Sequence, residues 1–248
     1  MQTLLRPTGT SATRRLGAVE LDPERLADDL GRLVPFGFVE DRDRFVCGSR
    51  TTCMLGPHLE HLPELVGGMD VHSAQLVKLG PGCVVVPRRE PPELGDGLTH
   101  VEIPLETAPT CLASEGSTVY RMRAGELWSL DASQPHGFAN LSHGERTHLV
   151  LELAGGFDEG AVGSIPEDAV VERRPLRPGE WESFAELAEV VDGDNLRDVL
   201  AMLVKRFFVA EMDVEEIFRW LAVIASDSDN EDVLTQSRWL EQRSLVVW

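Results

Sequence analysis

Positive charge is scarce in this chain. Its 248 residues carry 23 basic side chains against 42 acidic ones, a formal charge of −19 and a pI near 4.7. That balance argues against a nucleic-acid partner, because binding a phosphate backbone needs a basic patch. It argues equally against docking on an anionic membrane surface. Long apolar runs are missing too: none approaches the ~18 residues of a spanning helix. Met1 to Gly17 holds three arginines and no continuous apolar stretch, so no secretory signal is expected. The cysteines, Cys47, Cys53, Cys83 and Cys111, form no C-x-x-C pair and read as core thiols of a reducing compartment. The expected location is cytoplasmic. No G-x-S-x-G elbow, P-loop or dinucleotide fingerprint is present, which argues against the enzyme classes built on them. Aromatics are lean at 6%, but 42% hydrophobic residues suffice for a buried core, so disorder is not expected.

What is there divides in two. Asp22-Pro23 gives an N-cap followed by proline at the first helical position, and Leu26, Leu30 and Leu33 continue a short amphipathic helix. From Phe36 to Leu153 the texture is of short β-type runs, Phe45–Cys47, Val71–Leu79, Cys83–Val86, His100–Leu105, Ser117–Met122, Glu126–Leu130 and His148–Leu153, punctuated by Gly, Pro, Asn and Asp. Many short strands at this spacing predict a sandwich or closed β structure. After Gly155-Gly156 the period changes. Trp181, Phe184, Leu187 and Val191, then Leu196 to Phe207, then Val214 to Ile224, recur at helical spacing, and a last segment carries Val233, Leu234, Trp239 and Leu240. The predicted organisation is a β domain with an N-terminal helix over residues 1–155 and a helical extension over 156–248. From Glu152 to the end there are 22 acidic and 9 basic residues, so most of the acid excess belongs to the extension. There it favours solubility or a basic partner surface.

Residues 71 to 153 hold the informative polar side chains. A strand through Glu126–Leu130 leads to His136, then a turn, then a strand bearing Arg146. Small β-barrel metal sites use such a layout, with the histidine as ligand and the arginine forked onto a carboxylate. A loop histidine and an arginine in a structural ion pair is the plainer reading.

Four blocks in order, Leu79-Gly80-Pro81-Gly82, Val86 to Glu90, Val101 to Thr107 and Arg123 to Leu151, resemble the proline hydroxylase and aspartyl/asparaginyl β-hydroxylase group. That resemblance implies an iron(II)/2-oxoglutarate dioxygenase scaffold: a double-stranded β-helix, jelly-roll or cupin-like, mainly β with a C-terminal helical unit. The family's iron-binding P-H-x-D reads Pro87-Arg88-Arg89-Glu90 here, and the resemblance places His136 as the distal histidine. A permanent cation at Arg88 does not ligate iron. The family's R-x-H-I-P-L, whose arginine and histidine contact the cosubstrate, reads His100 to Leu105, with Glu102 in the histidine position. An anionic Glu102 opposes a dicarboxylate. Arg146 keeps the position that clamps the cosubstrate's distal carboxylate.

The expected site is a barrel mouth lined by Arg88, Glu90, His100, Glu102, Trp128, His136 and Arg146, binding an amino acid or peptide. Arg88 facing Glu90 and Glu102 is read as an ion-pair network filling the iron position. No cofactor is favoured; the metal sets weighed are Glu90 with His136, and His100, Glu102 and His136. The leading expectation is therefore a diverged dioxygenase-fold protein of natural-product tailoring, a peptide-binding partner or a metal-independent enzyme. The alternative is an active iron(II)/2-oxoglutarate amino-acid or peptide hydroxylase with an altered ligand set. A scaffold that dimerises, or meets a biosynthetic partner, through its helical extension is a third.

Overall fold

The computed structural model of the chain describes residues 13–33, 38–41, 43, 45–55, 64–89, 98–130, 134–154 and 166–245. Its strands in chain order are β1 (Arg14–Ala18), β2 (Val39–Glu40), β3 (Val46–Cys47), β4 (Arg50–Met54), β5 (Val71–Leu79) and β6 (Val84–Arg88). They continue with β7 (Leu98–Glu106), β8 (Cys111–Glu115), β9 (Thr118–Tyr120), β10 (Glu126–Ser129), β11 (His136–Asn140) and β12 (Arg146–Ala154). The helices are α1 (Pro23–Leu33), α2 (Pro178–Glu186), α3 (Leu196–Val209), α4 (Val214–Asp227) and α5 (Glu231–Leu245).

The strands form two antiparallel sheets, one in the order β1-β10-β7-β12-β5-β4-β2 and a smaller one in the order β3-β6-β11-β8-β9. This is the double-stranded β-helix, with helices added at the C-terminal end. Alternation along β12 sets its two faces. Leu149, Leu151 and Leu153 join Leu76, Val101, Ile103 and Leu105 under α1, where Leu26 and Leu30 cover them. Arg146, His148 and Val150 face the other way, into the space between the sheets. Asp22 caps α1 by accepting from the Glu24 and Arg25 amides at 3.0 and 3.1 Å, as the Asp-Pro start predicts.

The outer face of the smaller sheet is apolar. Val84, Val86, Leu112, Val119 and Ala139 form one cluster with Leu200, Leu203, Phe207, Phe208, Ile217, Phe218 and Leu221 of α3 and α4. Each Val, Leu, Ile or Phe side chain among them contributes about 1.5–3 kcal/mol on burial. Arg173 bolts the layers together, donating to the carbonyls of Phe207 at 2.8 Å, Met212 at 2.9 Å and Ser117 at 2.5 Å. Asp213 and Glu216 start α4 with a capping box, the Asp213 amide donating to Glu216 at 2.7 Å. The helices thus complete the core of the sheet they cover.

Five strands lie outside the predicted runs: β1, β2, β4, β8 and β11. β1 has no buried residue, and β4, Arg-Thr-Thr-Cys-Met, buries only Cys53. β8, Cys-Leu-Ala-Ser-Glu, is built of small residues. None shows the apolar alternation that betrays a strand.

Candidate functional site

Between the sheets lies a cavity of about 70 Å³ lined by Arg50, Gln75, His100, Glu102, His136, Phe138, Arg146, His148 and four aliphatic side chains. β7 supplies His100 and Glu102, two residues apart and so on one face. β12 supplies Arg146 and His148 by the same alternation, and β11 brings His136 and Phe138 from the opposite sheet. β11 is held close to β6, and the ladder bulges between His136 and Phe138. Gly137 permits the approach, because a Cβ there would meet the Val85 carbonyl oxygen at 2.7 Å and the Pro87 nitrogen at 2.9 Å.

A buried charge relay crosses the cavity floor. Arg146 Nε donates to His148 Nε2 at 2.8 Å, and His148 Nδ1 lies 2.5 Å from Glu102 Oε2. With Nε2 accepting, the proton belongs on Nδ1, which donates to the carboxylate. His100 Nε2 stands 3.7 Å from the other carboxylate oxygen. Burial and the Arg146 charge push His148 down to about 4, so it is neutral at pH 7. Burial pushes the Glu102 carboxyl up, but the histidine contacts and the Arg146 charge outweigh it and hold it well below the usual range. The relay therefore reads cation, neutral imidazole, anion. Arg146 also lies 4.8 Å over the Phe138 ring.

His136 is 8% exposed, and its Nδ1 lies 3.1 Å from the Gln134 carbonyl oxygen. That bond puts the proton on Nδ1 and the lone pair on Nε2, the tautomer a ligating histidine needs.

The structure places four of the seven expected residues, His100, Glu102, His136 and Arg146, around this cavity. Glu90 lies outside the described residues. Trp128 pairs with Glu102 in the ladder but does not line the cavity; it is fully buried with Met122, Leu130 and Ala169 and donates to Glu126 at 3.1 Å. Arg88 does not line it either. Its guanidinium pairs with Asp43 at 2.6 Å and covers the Phe45 ring at 4.8 Å, and Phe45 stacks on Trp239 of α5. The expected Arg88–Glu102 network is thus replaced by two separate ones, since Asp43 and Phe45 give the guanidinium a carboxylate and an aromatic face nearby. His148 carried no expected role. Its signal was the two-residue spacing from Arg146 on a strand.

Comparison with known proteins bears on the family. Residues 50–154 match the aspartyl/asparaginyl beta-hydroxylase model, and residues 157–245 match the C-terminal model of L-proline 3-hydroxylase. These two consecutive matches support a likeness to the proline hydroxylase-like group of iron(II)/2-oxoglutarate dioxygenases. It is 28% identical over 288 residues to an L-proline cis-3-hydroxylase of Streptomyces sp, spanning 94% of this chain and 98% of the relative. An L-proline cis-4-hydroxylase of Rhizobium meliloti is 24% identical, over 93% of this chain and 95% of its own length. Among solved structures, the viral collagen prolyl hydroxylase of Paramecium bursaria Chlorella virus-1 is 9% identical, covering 59% of this chain and 98% of that one, with a TM-score of 0.42. That likeness is too loose to bear on function. No helix among the described residues is long and apolar enough to cross a membrane.

The relatives are amino-acid hydroxylases, a finding that fits the alternative expectation better than the leading one. The likeness to proline hydroxylases overturns the expectation that no cofactor is favoured, because such enzymes use iron(II) and 2-oxoglutarate. The donor set is a different matter. Among the described residues no three His, Cys, Asp or Glu side chains come together to hold a metal, so the set His100, Glu102 and His136 does not form. Glu102 is engaged by two histidines, and Arg88 at the family's first ligand position is turned to Asp43. The described residues do not complete an iron site by themselves.

Proposed function

We propose that the chain is an amino-acid hydroxylase of the iron(II)/2-oxoglutarate class with an altered ligand set, working in the cavity between the sheets. The observation that carries this reading is collinear similarity over nearly the whole chain to two L-proline hydroxylases. The tautomer of His136 supports it, as does a buried cation, Arg146, in the same cavity. In this reading His136 and Glu90 are the protein ligands, and Arg146 meets a ligand carboxylate. The protein's own contribution is to exclude water from Arg146, to fix its orientation through His148, and to hold the His136 proton away from the cavity.

The substrate class is a free amino acid, with L-proline the first to try. The test supplies iron(II), 2-oxoglutarate and ascorbate with a panel of amino acids, and follows succinate together with hydroxylated product by mass spectrometry. Amino-acid-dependent succinate with a matching hydroxylated product is expected. Failure across proline, its ring homologues and the common amino acids would return the chain to the reading of a small-molecule binding protein.

A further inference from the structure

The cavity contains a charge that its expected ligand does not need. Arg146 and Glu102 are only 3% and 4% exposed, and both line the same small space. They are joined through one neutral imidazole, by contacts of 2.8 and 2.5 Å. The other cation on the wall, Arg50, is already paired with Asp41 at 2.8 Å. The cavity is therefore close to charge balance before any ligand enters.

We propose that Glu102 is a built-in competitor for the Arg146 charge, acting through His148, so that it weakens binding of dicarboxylic acids and sets which 2-oxo acid the cavity takes. This rests on the cavity being the hydroxylase site. A ligand carboxylate arriving at Arg146 meets a cation whose field is already offset by a nearby buried anion. Like charges repel strongly where water is excluded. The discrimination is electrostatic rather than steric, because Glu102 reaches Arg146 only by way of His148. A 2-oxo monocarboxylate, which carries no second charge to that end of the cavity, is spared the penalty. Glu102 is thus a specificity-determining residue on a strand that carries no metal ligand.

The isosteric change Glu102→Gln isolates the charge, since the amide oxygen still accepts from His148 Nδ1. Calorimetric titration of the metal-free full chain with 2-oxoglutarate, and with 2-oxopentanoate as a monocarboxylate of equal length, reads it directly. We expect Glu102→Gln to tighten 2-oxoglutarate at least about tenfold and to move 2-oxopentanoate less than about twofold, while Glu102→Asp stays near wild type. Equal shifts for the two acids, no gain for the dicarboxylate, or no binding of either acid to any variant overturns the proposal. Should the Gln variant not fold, Gln75→Lys adds a cation to the same wall; it must favour the dicarboxylate over the monocarboxylate, and equal or absent shifts overturn the proposal. Succinate formation by wild type with no gain in 2-oxoglutarate affinity from Glu102→Gln would overturn this inference and leave the hydroxylase reading standing. Tighter 2-oxoglutarate in Glu102→Gln with no succinate from wild type would do the reverse.

Discussion

The two faces of the smaller sheet are made of different chemistry. Its outer face, Val84, Val86, Leu112, Val119 and Ala139, packs against the helices in one large apolar cluster. Its inner face offers Val85, His136 and Phe138 to Glu102, Arg146 and His148 across the cavity. Apolar burial stabilises without specifying a ligand, whereas a buried cation and anion cost desolvation that their attraction barely offsets. The outer face thus accounts for stability, and the inner face retains costly groups whose use is in binding. Two arginines mark the contrast. Arg88 is spent on Asp43 and Phe45, while Arg146 points into the cavity.

The largest effect should come from the apolar side. Phe207→Ala removes a fully buried ring and is expected to cost about 4 kcal/mol by denaturant unfolding. Its cavity should still bind carboxylate in the folded fraction; loss of less than about 1 kcal/mol would break the comparison. On the inner side, Arg146→Met strands the Glu102 anion and should cost about 3 kcal/mol while abolishing carboxylate binding. Adding Glu102→Gln to it should restore much of that stability, and a double-mutant cycle showing strict additivity would contradict the relay.

The same relay predicts a pH dependence. His148 falls from its ordinary 6.5 to about 4 in the folded chain, so the unfolded chain takes up a proton that the folded one refuses. Stability should therefore drop as pH falls from 6.5 towards 4, by no more than about 3 kcal/mol. The depressed Glu102 contributes stability that is present above 4.5 and lost only as pH falls through its lower folded value. Urea midpoints of wild type and His148→Gln across that range test this: the variant's profile should be flatter, and parallel profiles would remove His148 from the account. The smallest effect belongs to Arg88. Arg88→Ala breaks a partly exposed ion pair and a ring contact, about 1 kcal/mol together, and should leave carboxylate affinity within twofold.

How far residues announced these roles depended on how local their signals are. β5 was legible as Val71–Leu79, and the helices from α2 to α5 followed from apolar spacing. The edge strand β1 and the strand β4 next to the opposite edge lack a buried alternating face, so periodicity could not find them. In the site, the i, i+2 spacing of His100 and Glu102 correctly put both on one strand face. It could have done the same for Arg146 and His148. Arg88 was not readable in this way. Its partner Asp43 lies 45 residues away, and only folding brings the two together. A motif position therefore located the residue without revealing where its side chain goes.

We propose the cavity beside His136 as the working site of an iron(II)/2-oxoglutarate amino-acid hydroxylase. Anaerobic addition of iron(II) and 2-oxoglutarate, followed by visible absorption, tests it most directly. Wild type and Arg88→Ala should both develop the metal-to-ligand charge-transfer band, and His136→Ala should not. Absence of the band from wild type, or its persistence in folded His136→Ala, would contradict the account.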